Sequence, residues 1–269
     1  MNAQHPGHEA VLAVDVGNTR TDLGLFDQTE LLGTVSLTTP SRLTEDEALT
    51  SLEIALGRLG VAHLAGAILS CVVPNLTQTW TGALERVSTS KVLTVGPGLK
   101  TGLKMNYDDP KEVGSDRVAD AVAARELVSG SVVVVDLGTT TNFEVIDSSG
   151  VFLGGIIAPG LALGARALER AAARLPMIEL TAPKHVIGKN TRSAIQAGVV
   201  LGEIARINGL IDAISSELNE DPAIIVTGEG AAAIAATLER DATAEPYLTL
   251  TGLAYLWQLN QGRRGERSW

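Results

Sequence analysis

Apolar runs alternate with glycine turns along this chain, and one such pattern occurs twice. An apolar run ending in Asp15 enters a turn at Gly17, and a later run ending in Asp136 enters a turn at Gly138. The apolar stretches that follow the two turns span residues 23–26 and 143–146. Two short apolar runs joined by a glycine turn are typical of a β-hairpin. Each copy therefore predicts a hairpin with an aspartate at the end of its first strand.

The rest of the chain shows strand and helix patterns in a repeated order. The first half predicts a third strand at 31–37, a helix at 44–59, a buried strand at 64–73, a helix at 75–87 and a short strand at 91–95. The second half predicts a helix from Val118 to Leu127, a strand near 151–157, helices around 164–175 and 193–218, and a strand at 223–227. Three hairpin-like strands followed by alternating helices and strands predict an α/β fold of duplicated ribonuclease-H-like domains with a cleft between them.

The length and composition agree with this organisation. The 269 residues suit two domains of about 120 to 140 residues each. We predict their ranges as 8–117 and 118–260. Hydrophobic residues make up 45% of the chain and aromatic residues only 3%, so both cores must be built from Val, Ile, Leu and Ala. Such cores are common in layered α/β proteins.

Charge and cysteine usage narrow the range of partners. The net charge is −10, with 21 Lys+Arg against 31 Asp+Glu, which argues against a nucleic-acid partner because binding to a phosphate backbone needs clustered positive charge. Cys71 is the only cysteine, so no disulfide forms within the chain. We find no targeting segment and no apolar run of ~18 residues. We therefore expect a cytoplasmic protein without a membrane partner.

The two glycine turns suit phosphate. Glycine allows positive φ and a bare backbone whose N–H groups can close on an anion, and Asn18, Thr19 and Thr139 add short donors. Asp15 and Asp136 would repel phosphate and are better suited to hold a cation or a bridging water. An ordinary tight hairpin turn explains a single copy equally well. Two copies, each near the start of a domain, favour a functional role.

The polar segment between the two halves carries further candidate residues. Asp116 and Arg117 stand at the entry to a helix, where Asp116 is either an N-cap or a base beside a guanidinium that binds an anionic substrate. Tyr107 packs either on a substrate or on the domain joint. Thr191, at a predicted helix start, is either a cap or a donor to a polar substrate.

Taken in order, these motifs resemble type III pantothenate kinase, a family of the sugar kinase, actin and Hsp70 superfamily. The resemblance is carried by Asp15-Val16-Gly17-Asn18-Thr19, Tyr107 with Pro110, Gly114-Ser115-Asp116-Arg117, Asp136-Leu137-Gly138-Thr139, Gly154-Gly155 to Pro159-Gly160, and Thr191. It covers nearly the whole chain. The segment from Tyr107 to Arg117 is the most specific part, because Asp-x-Gly turns occur throughout the superfamily.

The resemblance implies an actin-like fold and phosphorylation of pantothenate by ATP, the first step of coenzyme A biosynthesis. It implies Mg²⁺, K⁺ or NH₄⁺ as cofactors, and a homodimer formed through helices of the second domain with pantothenate near the subunit interface. The implied ATP contacts are Asp15, Val16, Gly17, Asn18, Thr19, Arg20, Thr21, Asp22 and Thr139. The implied pantothenate contacts are Tyr107, Gly114, Ser115, Asp116, Arg117 and Thr191. Asp116 is the implied proton acceptor, and Asp136 the implied ligand of the monovalent cation.

Several residues depart from the family pattern. Asn142 and Glu144 replace a Thr and an Asp after the second turn, Glu229 replaces a Gly, and Asp109 replaces an Asn before proline. Asp22 adds negative charge near the predicted phosphate site. Two alternatives follow: a catalytically silent family member that binds nucleotide as a regulatory partner, or another phosphotransferase or phosphatase on the same fold. Because Asp116, Asp136 and the segment from Tyr107 to Arg117 are all kept, we favour an active kinase.

Overall fold

The computed structural model describes residues 10–61, 63–171 and 178–261. They form two compact units. The first comprises 10–103, 108–123 and 248–261, and the second comprises 104–107 and the described part of 124–247. The predicted domain ranges, 8–117 and 118–260, remain a prediction. They follow the repeat of the fold along the sequence, whereas the two units are defined by which residues pack together.

The first unit is built on a five-stranded sheet. Its elements are β1 (Val11–Val16), β2 (Arg20–Asp27), β3 (Glu30–Thr38), α1 (Glu45–Leu59), β4 (Gly66–Cys71), α2 (Pro74–Val87) and β5 (Val92–Thr94). The strand order is β3-β2-β1-β4-β5, in which β2 is antiparallel to β1 and β3, and β4 is parallel to β1 and β5. Helices α1 and α2 cover one face with a core of Leu, Val and Ala side chains around Trp80.

The second unit repeats this order. Its strands are β6 (Lys104–Met105), β7 (Val132–Leu137), β8 (Thr140–Ile146), β9 (Val151–Pro159), β10 (Ala223–Gly228) and β11 (Ala242–Ala244). The sheet order is β11-β10-β7-β8-β9-β6. Apart from β6, this is the order of the first sheet, with the same parallel and antiparallel pairs. The prediction of a duplicated α/β fold with hairpin starts is confirmed.

The helices that remain fall on both units. They are α3 (Ser115–Leu127), α4 (Leu161–Ala171), α5 (Thr191–Gln196), a π-helical segment (Ala197–Leu201), α6 (Gly202–Leu218), α7 (Ala231–Ala235) and α8 (Leu248–Asn260), with a 3-10 turn at Pro110–Glu112. Helix α3 begins three residues before the predicted start, so Asp116 lies in its first turn. The predicted helix 164–175 extends partly beyond the described residues.

Helix α8 was not predicted, and it supports α3. Its residues Leu250, Leu253 and Trp257 are buried, and it packs against β1, β2 and β4. Gly252 lies so close to Ala119 of α3 that a Cβ would overlap the Ala119 carbonyl oxygen. The hydroxyl of Thr249 donates to Oδ1 of Asp120 at 2.7 Å. Helix α3 is therefore held in place by α8, the last helix among the described residues.

This contact predicts a loss of stability in Gly252→Ala. A methyl group at this position meets backbone rather than a flexible side chain, and overpacking of this kind costs about 1–3 kcal/mol. Urea unfolding measures the change. Gly57→Ala is the matched control because its Cβ meets nothing within 4 Å in α1, and there alanine should stabilise the helix by up to about 1 kcal/mol. Equal unfolding free energies for the two variants would contradict the packing argument.

Candidate active site

The first glycine turn is closed by backbone hydrogen bonds. The N–H of Gly17 donates to the carbonyl of Arg20 at 2.9 Å, and the N–H of Thr39 donates to the carbonyl of Thr19 at 3.0 Å. Neither Gly17 nor Gly138 has positive φ, so neither turn uses the left-handed conformation that glycine allows. Glycine instead keeps the turn surface bare, while Asn18 and Thr19 are exposed beside it.

The residues at the end of this predicted phosphate loop form contacts with other side chains of the protein. Nε of Arg20 pairs with Oδ1 of Asp22 at 2.8 Å, and Nη2 of Arg20 donates to the Ser36 hydroxyl at 2.7 Å. Asp22 therefore has a cation beside it, which offsets the repulsion expected between its charge and phosphate. Thr21 is fully buried, and its hydroxyl lies 2.8 Å from that of Thr39. Val16 is buried too, so only its backbone could contact a ligand.

The second glycine turn is tighter. The N–H of Gly138 donates to the carbonyl of Thr140 at 3.0 Å, and the N–H of Gly160 donates to the carbonyl of Thr139 at 3.2 Å. A Cβ on Gly160 would lie 2.5 Å from the Gly138 oxygen and 2.8 Å from the Thr139 oxygen. Gly160 therefore has to be glycine for β9 and α4 to meet the turn. Thr139 itself is exposed.

A third glycine approaches the same turn from β10. Gly228 has φ +85°, and a Cβ there would overlap the carbonyl of Leu137. The N–H of Glu229 donates to that carbonyl at 3.1 Å, while the Glu229 side chain is exposed. The backbone at residues 228 and 229 therefore turns as it would with two glycines, although the second residue is Glu229.

Asp136 and Asn142 face each other across the strands of the second hairpin. They are directly paired in the β7–β8 ladder, and paired residues project on the same face of a sheet. Asn142 is 7% exposed. Among the described residues, no group donates a hydrogen bond to its buried Oδ1. Glu144, on the same face of β8, is fully buried. Two of the residues that depart from the family pattern therefore lie inside the unit beside Asp136.

The first turn of α3 is attached to the edge of the sheet that carries Asp15. Asp15 of β1 is paired with Ser70 of β4, and the Ser70 and Ser115 hydroxyls lie 2.9 Å apart. The N–H of Cys71 donates to the Ser115 hydroxyl at 3.1 Å. Because β1 and β4 are parallel, their carboxyl ends meet at one edge, as in the ligand sites of many α/β sheets. The structure thus brings the start of α3 beside the first glycine turn.

Asp116 is held by its own helix and is poorly hydrated. Its Oδ1 accepts a hydrogen bond from the N–H of Arg117 at 2.8 Å, and a Cβ on Gly114 would collide with that carboxylate. Burial raises the pKa of Asp116, and the Arg117 N–H and charge oppose this only in part. Arg117 is itself buried, with 6% of its surface exposed. A carboxylate in such a setting binds a proton more readily than an ordinary aspartate.

The raised pKa predicts how stability depends on pH. Asp116 binds its proton more tightly in the folded protein than in the unfolded chain, so it favours folding below its unfolded pKa and loses that contribution as pH rises through its folded pKa. We expect Asp116→Asn to unfold at higher urea than wild type at neutral pH, with the difference shrinking toward pH 4. Urea titrations at several pH values measure this. A variant that is less stable at neutral pH would contradict the raised pKa.

Tyr107 packs on β9. Its ring lies 6.1 Å from the ring of Phe152, tilted by 42°, and a Cβ on Gly154 would lie 3.4 Å from Tyr107 Cε2. Gly154, with φ +123°, therefore provides the surface that the tyrosine ring covers. The ring is half-buried, which leaves part of its surface for a ligand.

Thr191 follows a helix N-cap, and Asp109 is itself one. The N-cap of α5 is Asn190, whose Oδ1 accepts from the N–H of Ser193 at 2.9 Å, so the interpretation of Thr191 as the cap is wrong. Asp109 caps the 3-10 turn by accepting from the N–H of Lys111 at 3.0 Å. A carboxylate oxygen accepts this hydrogen bond as well as an amide oxygen would. This accounts for an aspartate at position 109, where the family pattern has an asparagine.

Comparison with known proteins identifies the family. The sequence model of the type III pantothenate kinases matches residues 11–213. The chain belongs to the type III pantothenate kinase family. It is 38% identical over 261 residues to the type III pantothenate kinase of Geobacillus kaustophilus, an alignment that covers 95% of this chain and all of that protein. The family that the order of the motifs suggested is thus confirmed.

Solved structures with the same fold are less similar to this chain in sequence. The ethanolamine utilization protein EutJ of Carboxydothermus hydrogenoformans matches with a TM-score of 0.56 and 16% identity, covering 94% of this chain and 92% of that one. The inorganic polyphosphate/ATP-glucomannokinase of Arthrobacter sp. strain KM matches with a TM-score of 0.50 and 15% identity, covering 94% and 99%. These likenesses support the actin-like α/β fold.

Two kinds of residue in this protein could not be identified from the sequence pattern as it was interpreted above: a glycine in a close backbone contact, and a pair of charged residues on a helix. Gly160 was noted only within a glycine-rich segment, because close backbone approach leaves no signal in one sequence. Glu203 and Arg206 were not considered, although Glu203 is buried in α6. A glutamate on the apolar face of a helix, three residues before an arginine, is the signal that could have found them.

Proposed function

We propose that this protein catalyses transfer of the γ-phosphoryl group of ATP to pantothenate, giving ADP and 4′-phosphopantothenate in the first step of coenzyme A biosynthesis. The observation that carries the proposal is membership of the kinase family over nearly the whole chain. The retained Asp116, Asp136 and Tyr107 to Arg117 segment agrees with it. Nothing in the comparisons favours the silent regulatory alternative.

Asp116 is the proposed base. It accepts the proton of the primary hydroxyl of pantothenate while the hydroxyl oxygen bonds to the γ-phosphorus and the bond from that phosphorus to the bridging oxygen of ADP breaks. A base works best when its pKa lies near the working pH, and burial moves the pKa of Asp116 upward in that direction. Helix α3 supplies rigid support because its first turn is bonded to the end of β4.

The two glycine turns are the proposed phosphate sites. In the first turn, the backbone of residues 16–19 and the side chains of Asn18 and Thr19 contact ATP, and Asp15 does so through a bridging cation or water. Arg20, Thr21 and Asp22 hold the following strand pair in shape. In the second turn, the exposed Thr139 contacts ATP. Phosphoryl transfer depends on positioning and charge neutralisation more than on covalent chemistry by the protein. Short turns closed by backbone hydrogen bonds are suited to that task.

Asp136 is the proposed ligand of a monovalent cation, K⁺ or NH₄⁺, and the residues around it fit that role. The carboxylate faces a buried amide oxygen that accepts no hydrogen bond from the described residues. These oxygens, with the buried carboxylate of Glu144 on the same face of β8, are the kind of ligand that binds hard cations. The cation, together with Mg²⁺ on ATP, would neutralise phosphate charge.

Pantothenate is proposed to contact Tyr107, Gly114, Ser115, Asp116, Arg117 and Thr191. The exposed side of the Tyr107 ring supports this for one end of the site. Ser115 already has two partners in the chain, so its main contribution is to anchor α3. Arg117 is buried, and a buried guanidinium keeps its charge, so it acts through its field on Asp116 as well as on the substrate.

A homodimer is proposed because the second unit exposes apolar helical surface. No residue of α4 is buried, and Leu163, Leu168 and the neighbouring Ile157 of β9 are exposed, Ile157 by 63%. Contiguous exposed apolar surface commonly marks an interface between proteins. A second copy of this chain would cover it. Sedimentation velocity at micromolar concentration should give a species of twice the chain mass, and a monomer at all concentrations would contradict the dimer.

The protein is proposed to act in the cytoplasm without nucleic acid or membrane. Within the described residues, one continuous helix, 191–218, has the length and mean hydropathy (1.3) of a membrane span. Such a helix is weak evidence for a span. Its residues Ile207, Ile211 and Ile214 pack in the core of the second unit, although most of its apolar window is not buried. The charged Glu203 and Arg206 that it carries argue against a span.

The experiment that tests this function is phosphate transfer from ATP to pantothenate by the purified protein. Mg²⁺ is present throughout, and K⁺ or NH₄⁺ is compared with Na⁺. Formation of 4′-phosphopantothenate that depends on K⁺ or NH₄⁺ supports the kinase and the cation site together. Transfer that is equal in Na⁺ removes the cation proposal alone. A folded dimer without transfer under any condition contradicts the proposed activity.

A further inference from the structure

An ion pair between the buried Glu203 and the partly exposed Arg206 lies behind the second glycine turn, and we propose that these two residues are positioning residues for the phosphates of ATP. This inference rests on the proposed function, in which the turn at Gly138 and Thr139 binds ATP. Both residues lie on α6, and neither belongs to the motifs that mark the family. Glu203 is 5% exposed, so its carboxylate acts inside the protein.

The pair connects α6 to β8, which follows the turn, and to the end of β9, which meets the turn at Gly160. The hydroxyl of Thr141, on β8, donates to Oε1 of Glu203 at 2.6 Å. Oε2 of Glu203 pairs with Nη2 of Arg206. The same Nη2 donates to the carbonyl of Pro159, at the end of β9, at 2.7 Å. One carboxylate and one guanidinium therefore tie a side chain of β8 and a carbonyl of β9 to the same helix.

These two attachment points bracket the turn. Thr141 is paired with Leu137, the last residue of β7, and Pro159 is paired with Thr140. The next residue, Gly160, donates its N–H to the carbonyl of Thr139. A shift of Thr141 or Pro159 must therefore move the backbone of residues 138–140. Groups that orient a binding residue from behind typically change affinity by about 10- to 100-fold.

Charge gives the pair a second role. A buried carboxylate close to an anion-binding turn would repel phosphate strongly in a medium of low dielectric constant. Arg206 neutralises Glu203, so this carboxylate adds no net negative charge behind the turn. Removing the arginine alone leaves the carboxylate buried and uncompensated, which is far more disruptive than removing both charges together.

The test compares Arg206→Met, Glu203→Gln/Arg206→Met and a control, Arg240→Met. Arg240 belongs to the same unit and pairs with Asp212 and Asp221 at the surface. We expect Arg206→Met to raise KM for ATP about tenfold and to change KM for pantothenate less than about twofold, with the double variant recovering most of the loss. Arg240→Met should leave both KM values unchanged. Equal changes in both KM values, or none in Arg206→Met, would overturn the proposal.

Amide hydrogen exchange without nucleotide provides a readout that does not depend on activity. The Gly138 and Gly160 amides, which close the turn, should exchange about tenfold faster in Arg206→Met and at the wild-type rate in Arg240→Met. Unchanged exchange in Arg206→Met overturns the positioning role even if the enzyme is active. Faster exchange in a protein without any transfer activity supports positioning of the turn and contradicts only the proposed reaction.

A second pair of variants tests the Thr141 contact. Thr141→Val keeps the shape of the buried side chain and removes the hydroxyl, so KM for ATP should rise. Thr141→Ser keeps the hydroxyl and should restore a KM close to that of wild type. If serine and valine have the same effect, the hydrogen bond to Glu203 does not position the turn.

Discussion

Asp116→Asn is expected to lower kcat by about 10²- to 10⁴-fold, the usual contribution of a positioned general base. The amide keeps an oxygen that can accept the hydrogen bond that the Arg117 N–H donates to Oδ1, so the fold should be unchanged. What the variant lacks is a group that can take the proton of the attacking hydroxyl. KM for ATP should change little, because Asp116 lies outside both glycine turns.

Steady-state kinetics of Asp116→Asn should be compared with those of Asp109→Asn. The control makes the same chemical change seven residues upstream, at an exposed cap where an amide oxygen also serves. It should keep near-wild-type kcat. A loss in both variants would point to disturbance of the whole segment, and near-normal turnover of Asp116→Asn would contradict its role as the base.

Gly160→Ala is expected to lower kcat/KM for ATP by about 100-fold, the effect of displacing a reacting group by about 1 Å. The added methyl group would lie 2.5 Å from the Gly138 oxygen and 2.8 Å from the Thr139 oxygen. Both are backbone atoms of the turn proposed to bind phosphate, so the turn itself has to move. KM for pantothenate should be affected much less than KM for ATP.

The matched control for this variant is Gly209→Ala. Gly209 lies on an exposed position of α6 in the same unit, where a Cβ meets nothing within 4 Å. Its kinetics should equal those of wild type. If Gly160→Ala binds and uses ATP normally, the glycines do not shape a phosphate site, and the second turn has to be interpreted as an ordinary hairpin.

Much of the fold could be predicted because its signals are local. The apolar run before Gly17 and its counterpart before Gly138 each predicted a hairpin, and the helical spacing of residues 44–59 predicted α1, whose N-cap in the structure is Thr44. Helix α8 was missed. Its residues are apolar nearly all round, and seven of them are buried, so it lacks the one-sided pattern that distinguishes a surface helix.

The site was predictable to a smaller extent, for a physical reason. A sequence motif marks which residues share a turn, and so Asp15, Asp116 and Asp136 could be proposed as site residues. It does not show which groups a side chain meets after folding. Three kinds of contact show this. The hydrogen bonds of Ser115 with Ser70 and Cys71, and of Thr141 with Glu203, join residues that are far apart in the sequence. The Arg20–Asp22 pair joins two residues of one strand, but no motif marks their contact. Backbone collisions at Gly160 and Gly252 are equally invisible before the chain has a shape.

The position of α8 in the first unit has a consequence for how the protein is made. Strand β1 leaves the ribosome early, but the helix that packs on it and on α3 follows the entire second unit in the sequence. The second unit can complete its core while synthesis continues, since domains generally fold as units during synthesis. The first unit has to wait for contacts between residues more than 200 positions apart, and long-range contacts form slowly. The helix that carries Asp116, the proposed base, therefore reaches its final support only after α8 has emerged.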